Sequence, residues 1–136
     1  NLFVARFIGS PAMNIIPAKI TAAGTTTTLE LTGGRTSSVD IATSTSEVGK
    51  PASFGVRPED LQISTGDDFL FEGTVAIVEA LGEVTLLYIE GLVQGEPIIA
   101  KIPGILDVKR GAKVRFTADR AKLHLFDAAG QSYRAS

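Results

Sequence analysis

The chain has 136 residues, and its 13 basic and 15 acidic side chains give a net charge of −2. This length suits one ordinary domain, and a hydrophobic fraction of 44% is enough for a buried core and excludes general disorder. A slightly acidic chain lacks the excess positive charge that binds nucleic-acid phosphates. The absence of cysteine excludes disulfides, thiolate metal sites and cysteine nucleophiles, and no apolar run reaches the length of a membrane span.

The first residues predict a short helix. Phe3 lies four residues before Phe7, which is the spacing of a helical apolar stripe, and Gly9-Ser10-Pro11 then supplies a stop. Because so short a helix is marginal alone, we expect Asn1–Ile8 to be the end of an element of an upstream domain. The predicted boundary lies near Pro11–Met13.

From residue 13 onward, short segments rich in Val, Ile, Thr and Phe recur between clusters of Gly, Pro, Asp and Ser, which predicts strands joined by turns. The predicted strands are Ile15–Ala22, Thr26–Leu31, Ser38–Ala42, Ala52–Val56, Glu72–Glu79, Thr85–Glu90, Pro97–Ile102, Lys113–Thr117, Leu123–Phe126 and Ser132–Arg134. Their spacing predicts an all-β fold of the barrel type.

The apolar pattern differs between these strands. In the second strand, Leu29 and Leu31 flank Glu30, which predicts one buried and one wet face. Val75–Val78 and Leu86–Leu87 are instead continuous apolar runs, which predict strands buried on both faces or covered by another subunit. The Thr- and Ser-rich stretch around Val39 is typical of a weak edge strand.

No pattern in the chain predicts a nucleotide-binding loop. Gly49-Lys50 is followed by Pro51, where a phosphate-binding loop needs Ser or Thr, and Ser44 occupies the position of its first glycine. These residues predict a turn.

The sequence also assembles no catalytic or metal-binding set. His124 is the only histidine and alternates with Leu123 and Leu125, so we expect it on a strand. The pairs Glu59-Asp60 and Asp67-Asp68 predict caps or turns, because adjacent side chains point apart. We expect Pro58 to start one helical turn at the first pair and Arg57 to pair with one of its carboxylates.

An oligonucleotide-binding barrel is the natural rival for strands of this kind. It needs exposed aromatic residues interleaved with basic ones, whereas this chain has two Tyr, no Trp and seven Phe that lie in apolar or alternating patterns. We therefore predict no nucleic-acid partner.

Several stretches, taken together and in order, resemble one family, the C-terminal part of ATP-binding subunits of maltose-type sugar ABC importers. They are Asn1–Asn14, Phe54–Leu61, Val78–Gly82 with Thr85–Tyr88, and Leu123–Asp127. The resemblance covers nearly the whole chain, and its most specific element is Gly-Val-Arg-Pro-Glu, combined with the opening Phe-Ile-Gly-Ser-Pro.

The resemblance implies a domain organisation. Residues 1–12 are the end of the last helix of the ATPase domain, and residues 13–136 are a regulatory domain of OB-like, TOBE-type β-barrel modules. ATP and Mg²⁺ are expected only in the upstream domain. This chain is therefore expected to hold no cofactor or metal and not to be an enzyme.

The resemblance also implies partners and a location. The expected partners are a second copy of the chain, transmembrane permease subunits reached through the upstream domain, and a cytoplasmic regulatory protein. The expected location is the cytoplasmic face of the inner membrane, in a transporter for a sugar, polyol or glycerol phosphate.

The residues that match the family motifs are the candidate interface of this domain, namely Gly55, Arg57, Pro58, Glu59, Leu81 and Gly82. Pro58 fixes its φ angle and ends the preceding strand. The Arg57 guanidinium is then available for a carboxylate or a backbone carbonyl. The chain departs from the family at Val84, where relatives often carry Glu.

A second function remains open from the residues themselves. Arg57, Ser64 and Thr65 lie near predicted turns, where N–H groups and a guanidinium are able to cradle an anion. This alternative is a small-oxyanion or small-ligand-binding module.

Overall fold

The computed structural model describes residues 12–133, which form ten β-strands and three single turns of 3₁₀ helix. The strands are Asn14–Ala22 (β1), Thr27–Leu31 (β2), Thr36–Val39 (β3), Pro51–Val56 (β4), Gln62–Ser64 (β5), Phe71–Ala80 (β6), Val84–Val93 (β7), Glu96–Pro103 (β8), Lys113–Thr117 (β9) and His124–Asp127 (β10). The 3₁₀ turns are Thr45–Glu47, Pro58–Asp60 and Arg120–Lys122. The all-β prediction is confirmed, and the helix predicted at Asn1–Ile8 lies outside the described residues.

The strands form two antiparallel sheets. The first has the order β10-β4-β1-β2-β3 and the second the order β5-β9-β6-β7-β8. The chain leaves the first sheet after β4, builds the second, and returns to pair β10 with β4, where His124 lies opposite Gly55. The β10 strand, near the end of the described chain, therefore forms one edge of the first sheet, beside β4.

Three neighbouring phenylalanine side chains connect the two sheets. The ring centroids of Phe54 in β4 and Phe71 in β6 are 6.4 Å apart, and those of Phe71 and Phe116 in β9 are 5.6 Å apart. All three side chains are almost completely buried. Since buried aromatic residues contribute strongly to core stability, the two sheets share one hydrophobic core.

The strand predictions fail at two places and are displaced at a third, since the strand predicted at Ser38–Ala42 is observed at Thr36–Val39. The short β5 strand, Gln62–Ser64, was not predicted, because three residues are too few to show an alternating pattern; it pairs with β9. The predicted final strand, Ser132–Arg134, is wrong within the described part, since Ser132 pairs with Phe126 as an isolated bridge and not as part of a strand. Arg134 itself lies outside the described residues.

The two continuous apolar runs have different outcomes. Leu86 and Leu87 in β7 are both buried, as expected, but Ile77 in β6 is 53% exposed although Val75 is 1% exposed. The pairing of β6 with β7 shifts register between Val75 and Ile77, and such a bulge turns the following side chains. Burial of the whole Val75–Val78 run on both faces is therefore wrong. The edge position predicted near Val39 is confirmed by β3.

Candidate functional site

Gly55 supplies room for a neighbouring side chain. It is buried in β4, opposite Ile15 of β1 and His124 of β10. A Cβ atom at this position would overlap the Met13 sulfur and approach Phe126 Cε2 to 3.1 Å. Gly55 thus leaves the space that the side chain of Met13 occupies, and Met13 is the residue directly before β1.

Pro58 is the buried residue of the 3₁₀ turn Pro58–Asp60, and this turn contacts β8. The predicted helical turn at the Glu59-Asp60 pair is confirmed, and Arg57 takes its N-cap position. Arg57 and Glu59 are both exposed.

The ion pair predicted for Arg57 is wrong. Among residues 12–133, no carboxylate lies within 4.0 Å of its guanidinium. Asp60 instead lies 4.0 Å from the Lys122 ammonium group. The exposed Arg57 side chain is therefore presented to solvent.

Leu81 and Gly82 form the tip of the β6–β7 hairpin. The Leu81 N–H donates to the Val84 carbonyl at 2.9 Å, and Gly82 has a φ of 92°, a left-handed conformation that glycine adopts at little cost. The Leu81 side chain is 56% exposed. Val84, the position at which the sequence analysis expects a departure from the family, is half-buried opposite Pro103.

Both motifs are linked to β8. Pro58–Asp60 lies against β8, and the hairpin tip is tied to the end of β8 because the Gly104 N–H donates to the Glu83 carbonyl at 2.7 Å. The Pro58–Asp60 turn and the Leu81–Gly82 tip therefore both lie at the flank of the second sheet that β8 forms, whereas Gly55 lies in the first sheet.

Asn14 lies on the same flank, and the sequence analysis missed it. Its Nδ2 donates to the Ile99 carbonyl at 2.8 Å, and its Oδ1 accepts from the Ile99 N–H at 2.9 Å. The side chain is 3% exposed. It occupies the outer hydrogen-bonding groups of β8 at this position, as a neighbouring strand would.

Two prolines also interrupt the outer edge of β8, one on each side of Ile99. Alternate residues of an edge strand present their backbone groups outward, so Pro97 and Pro103 share the orientation of Ile99. Proline has no N–H to donate. This flank can therefore receive a partner through side chains but hardly through an added strand.

The oxyanion alternative finds little support at the predicted residues. The Ser64 hydroxyl donates to the Asp68 carbonyl at 2.8 Å and accepts from the Gly66 N–H at 3.4 Å, so it serves its own turn. Neither Ser64 nor Thr65 forms a hydrogen bond with Arg57 among the described residues.

The remaining candidates show no assembled chemistry. His124 is half-buried and stacks on Phe126 with ring centroids 6.4 Å apart. Within residues 12–133 no three His, Asp or Glu side chains gather as a metal site would require. In the same residues, no helix has the length and apolarity to cross a bilayer.

Two family models match the chain. One, described as the MalK OB fold domain, matches residues 9–61, and the other, described as the TOBE domain, matches residues 54–126. The second match spans more than half of the chain. The chain belongs to the TOBE domain family. The residues shared by both matches contain the Gly55–Glu59 motif, and in this TOBE domain they connect the first sheet to the second.

The relatives with this TOBE domain confirm the resemblance seen in the sequence. The alpha-glucoside transport ATP-binding protein AglK of Rhizobium meliloti is 73% identical over 135 residues, which are 99% of this chain and 37% of AglK. The maltose/maltodextrin import ATP-binding protein MalK of Vibrio vulnificus is 35% identical over 133 residues, 97% of this chain and 36% of MalK. The chain spans little more than a third of the length of these relatives.

A solved structure shows the same fold. The cytoplasmic molybdate-binding protein ModG, with molybdate bound, superposes with a TM-score of 0.66 and 16% identity, covering 82% of this chain and 94% of ModG. At this identity the likeness concerns the fold of the TOBE domain alone.

Proposed function

We propose that this chain is the C-terminal regulatory part of the ATP-binding subunit of an ABC importer for α-glucosides. The observation that carries the proposal is the 73% identity to AglK over 99% of the chain. ATP and Mg²⁺ bind in the upstream ATPase domain, and the chain itself is not the catalytic part. The subunit works at the cytoplasmic face of the inner membrane, where its ATPase domain contacts the permease subunits.

The chain acts in this importer by pairing with a second copy of itself. Two regulatory domains held together keep the ATPase pair associated while the nucleotide sites open. Ile77 and Leu81, on the β6–β7 hairpin, are 53% and 56% exposed, and large apolar side chains at these levels of exposure support an interface there.

A cytoplasmic regulatory protein binds the flank of β8 that carries Arg57 and Glu59, which are both exposed. Such a protein alters transport only if it binds the open and closed states of the ATPase pair with different affinities. Two exposed side chains of opposite charge suit a partner surface that carries complementary charges.

Transport by a chimera tests the importer role. The upstream part of Rhizobium meliloti AglK is fused to this chain and expressed in a strain that lacks AglK, and the uptake of a labelled α-glucoside is measured. We expect uptake close to that of native AglK. The control is AglK truncated at the same junction.

A chimera that accumulates and hydrolyses ATP but transports no better than the truncated control would contradict the proposal. ATP hydrolysis is measured on the purified transporter, so a failure of folding is distinguished from a failure of function.

Association of the purified chain tests the pairing. Light scattering across concentrations is expected to show a dimer, and the double variant Ile77→Ser/Leu81→Ser is expected to dissociate more readily. Val48→Ser is the matched control, because Val48 is a 45% exposed apolar residue away from the hairpin. A chain that stays monomeric at high concentration would contradict pairing through this domain.

A further inference from the structure

A small pocket lies where the β2–β3 turn meets the second sheet. It encloses about 270 Å³, which is near the lower end of the range for small-molecule sites. Its floor is apolar and is formed by Leu31, Phe71 and Leu92. The polar side chains at its rim are described below, and the whole is called the Arg35 pocket.

Arg35 is held in place with unused hydrogen-bond donors. Its guanidinium carbon lies 3.4 Å from the centroid of the Phe69 ring, and its Nη2 donates to the Phe69 carbonyl at 2.8 Å. Within residues 12–133, its Nε and Nη1 donate to no partner, and no carboxylate lies within 4.0 Å. A stacked guanidinium loses little freedom when it binds an anion.

Arg115 brings a second guanidinium to the same ring. Its Cζ lies 4.4 Å from the Phe69 centroid. The guanidinium carbons of Arg35 and Arg115 are therefore no farther apart than the sum of their distances to this centroid. Arg115 Nε donates to Glu72 at 3.1 Å and Nη1 approaches Asp67 at 3.5 Å, whereas Nη2 has no partner among the described residues. These contacts are exposed and therefore weak.

The remaining rim residues fit a hydroxylated ligand. Glu72 and Thr32 both line the Arg35 pocket, and a carboxylate and a hydroxyl are the usual partners of sugar hydroxyl groups. The Thr32 hydroxyl contacts the Leu92 carbonyl only at a long 3.4 Å. The pocket thus combines free cationic donors at one side with a hydroxyl-binding side and an apolar floor.

We propose that the Arg35 pocket binds a phosphate monoester of a small polyhydroxyl compound. The phosphate group accepts from Arg35 and from Arg115 Nη2, since planar guanidinium groups match the oxygens of phosphate. The body of the ligand lies on the apolar floor and donates its hydroxyl hydrogens to Glu72. This proposal does not depend on the importer role and can fail or succeed separately from it.

Isothermal titration calorimetry on the chain tests the proposal with four probes: glucose 6-phosphate, inorganic phosphate, glucuronate and glucose. Glucose 6-phosphate is expected to bind saturably and at least tenfold more tightly than inorganic phosphate, with no heat from glucose. A flat titration with glucose 6-phosphate overturns the site. Equal binding of inorganic phosphate overturns the contribution of the sugar body, and equal binding of glucuronate overturns the preference for phosphate.

Two variants locate the binding. Arg35→Gln is expected to weaken glucose 6-phosphate binding at least tenfold. Arg57→Gln is the matched control, because Arg57 is also exposed and unpaired among the described residues but does not line the Arg35 pocket. An Arg57 variant that loses binding as Arg35→Gln does would overturn the location.

The variant Glu72→Gln distinguishes a loss of ligand binding in Arg35→Gln from a loss of folding. This change removes a negative charge beside the bound phosphate and frees Arg115 Nε, so inorganic phosphate is expected to bind several-fold more tightly. A gain of affinity cannot come from loss of folding. Unchanged or weaker phosphate binding in Glu72→Gln would overturn the assignment of the phosphate to the two guanidinium groups.

Discussion

The two family motifs occupy opposite environments in the molecule. In the first, Gly55 and Pro58 are buried, one beneath Met13 and the other against β8. In the second, Leu81 is more than half exposed and Gly82 has open space around it. The buried residues of the first motif therefore pack inside the domain, whereas its Arg57 and Glu59, like the second motif, are accessible from solvent.

The largest expected effect is a loss of stability when Asn14, which lies beside the first motif, is replaced. Asn14 lies opposite Val56, next to Gly55, and Asn14→Ala removes both partners of the Ile99 backbone. We expect the free energy of unfolding to fall by about 3 kcal/mol, because two backbone groups lose their hydrogen bonds. Urea unfolding measures it.

Gln94→Ala is the control for this variant, since Gln94 is an exposed amide at the β7–β8 turn and its truncation is expected to be nearly neutral. An Asn14 variant as stable as the Gln94 variant would mean that the side-chain bridge to β8 is dispensable. The surroundings of the first motif would then tolerate substitution better than the structure indicates.

Gly55→Ala is expected to cost about 2 kcal/mol, because an added methyl group in a packed core displaces its neighbours. Urea unfolding of this variant is compared with that of Gly55→Ala/Met13→Ala, in which the overlapping side chain is truncated. The methyl group should cost less in the Met13→Ala background than in the native one. An equal cost in both backgrounds would show that Met13 is not what requires glycine there.

Gly82→Ala tests the second motif and is expected to cost about 1 kcal/mol, since a left-handed conformation is unfavourable for alanine but its Cβ meets no neighbour. Gly66→Ala is the matched control: its Cβ also enters open space, and Gly66 does not have a positive φ. If the two variants lose equal stability by thermal unfolding, backbone conformation is not the reason for Gly82.

The smallest effect is expected at Tyr133, which lies beside β10 and donates to the Glu47 carboxylate at 2.8 Å. The hydrogen bond from Lys50, followed by that from Tyr133, lowers the pKa of Glu47 below 4.5. Burial, followed by the Glu47 contact, raises the pKa of Tyr133 to about 12. The contact therefore stabilises the fold fully between pH 4.5 and pH 10, and its contribution is lost as the pH falls through the lowered pKa of Glu47 or rises through the raised pKa of Tyr133.

Tyr133→Phe is accordingly expected to be slightly less stable than the native chain at neutral pH. The difference should disappear as the pH falls through the lowered pKa of Glu47, because the protonated carboxyl is a weaker acceptor. Unfolding free energies of both proteins at neutral pH and below pH 4.5 measure this. A difference that is independent of pH would show that Tyr133 acts through packing.

The candidate site was only partly predictable from the sequence. The six motif residues were identified by resemblance, and Pro58 indicated its own turn, since a fixed φ acts locally. The free position of Arg57 was not predicted, because proximity along the chain places Glu59 and Asp60 nearby without setting the direction of the side chains. Asn14 gave no signal, because its partner Ile99 lies 85 residues away.

Local sequence by itself determined most of the strands and the faces they bury, since alternation with a period of two fixes which side chains share a face. It also carried the family motifs. Only the tertiary structure decided the return of β10 to β4, the bulge that exposes Ile77, and the meeting of Arg35 and Arg115 on Phe69. These features depend on contacts between residues far apart in the chain, and a local pattern specifies which face is buried but not what packs against it.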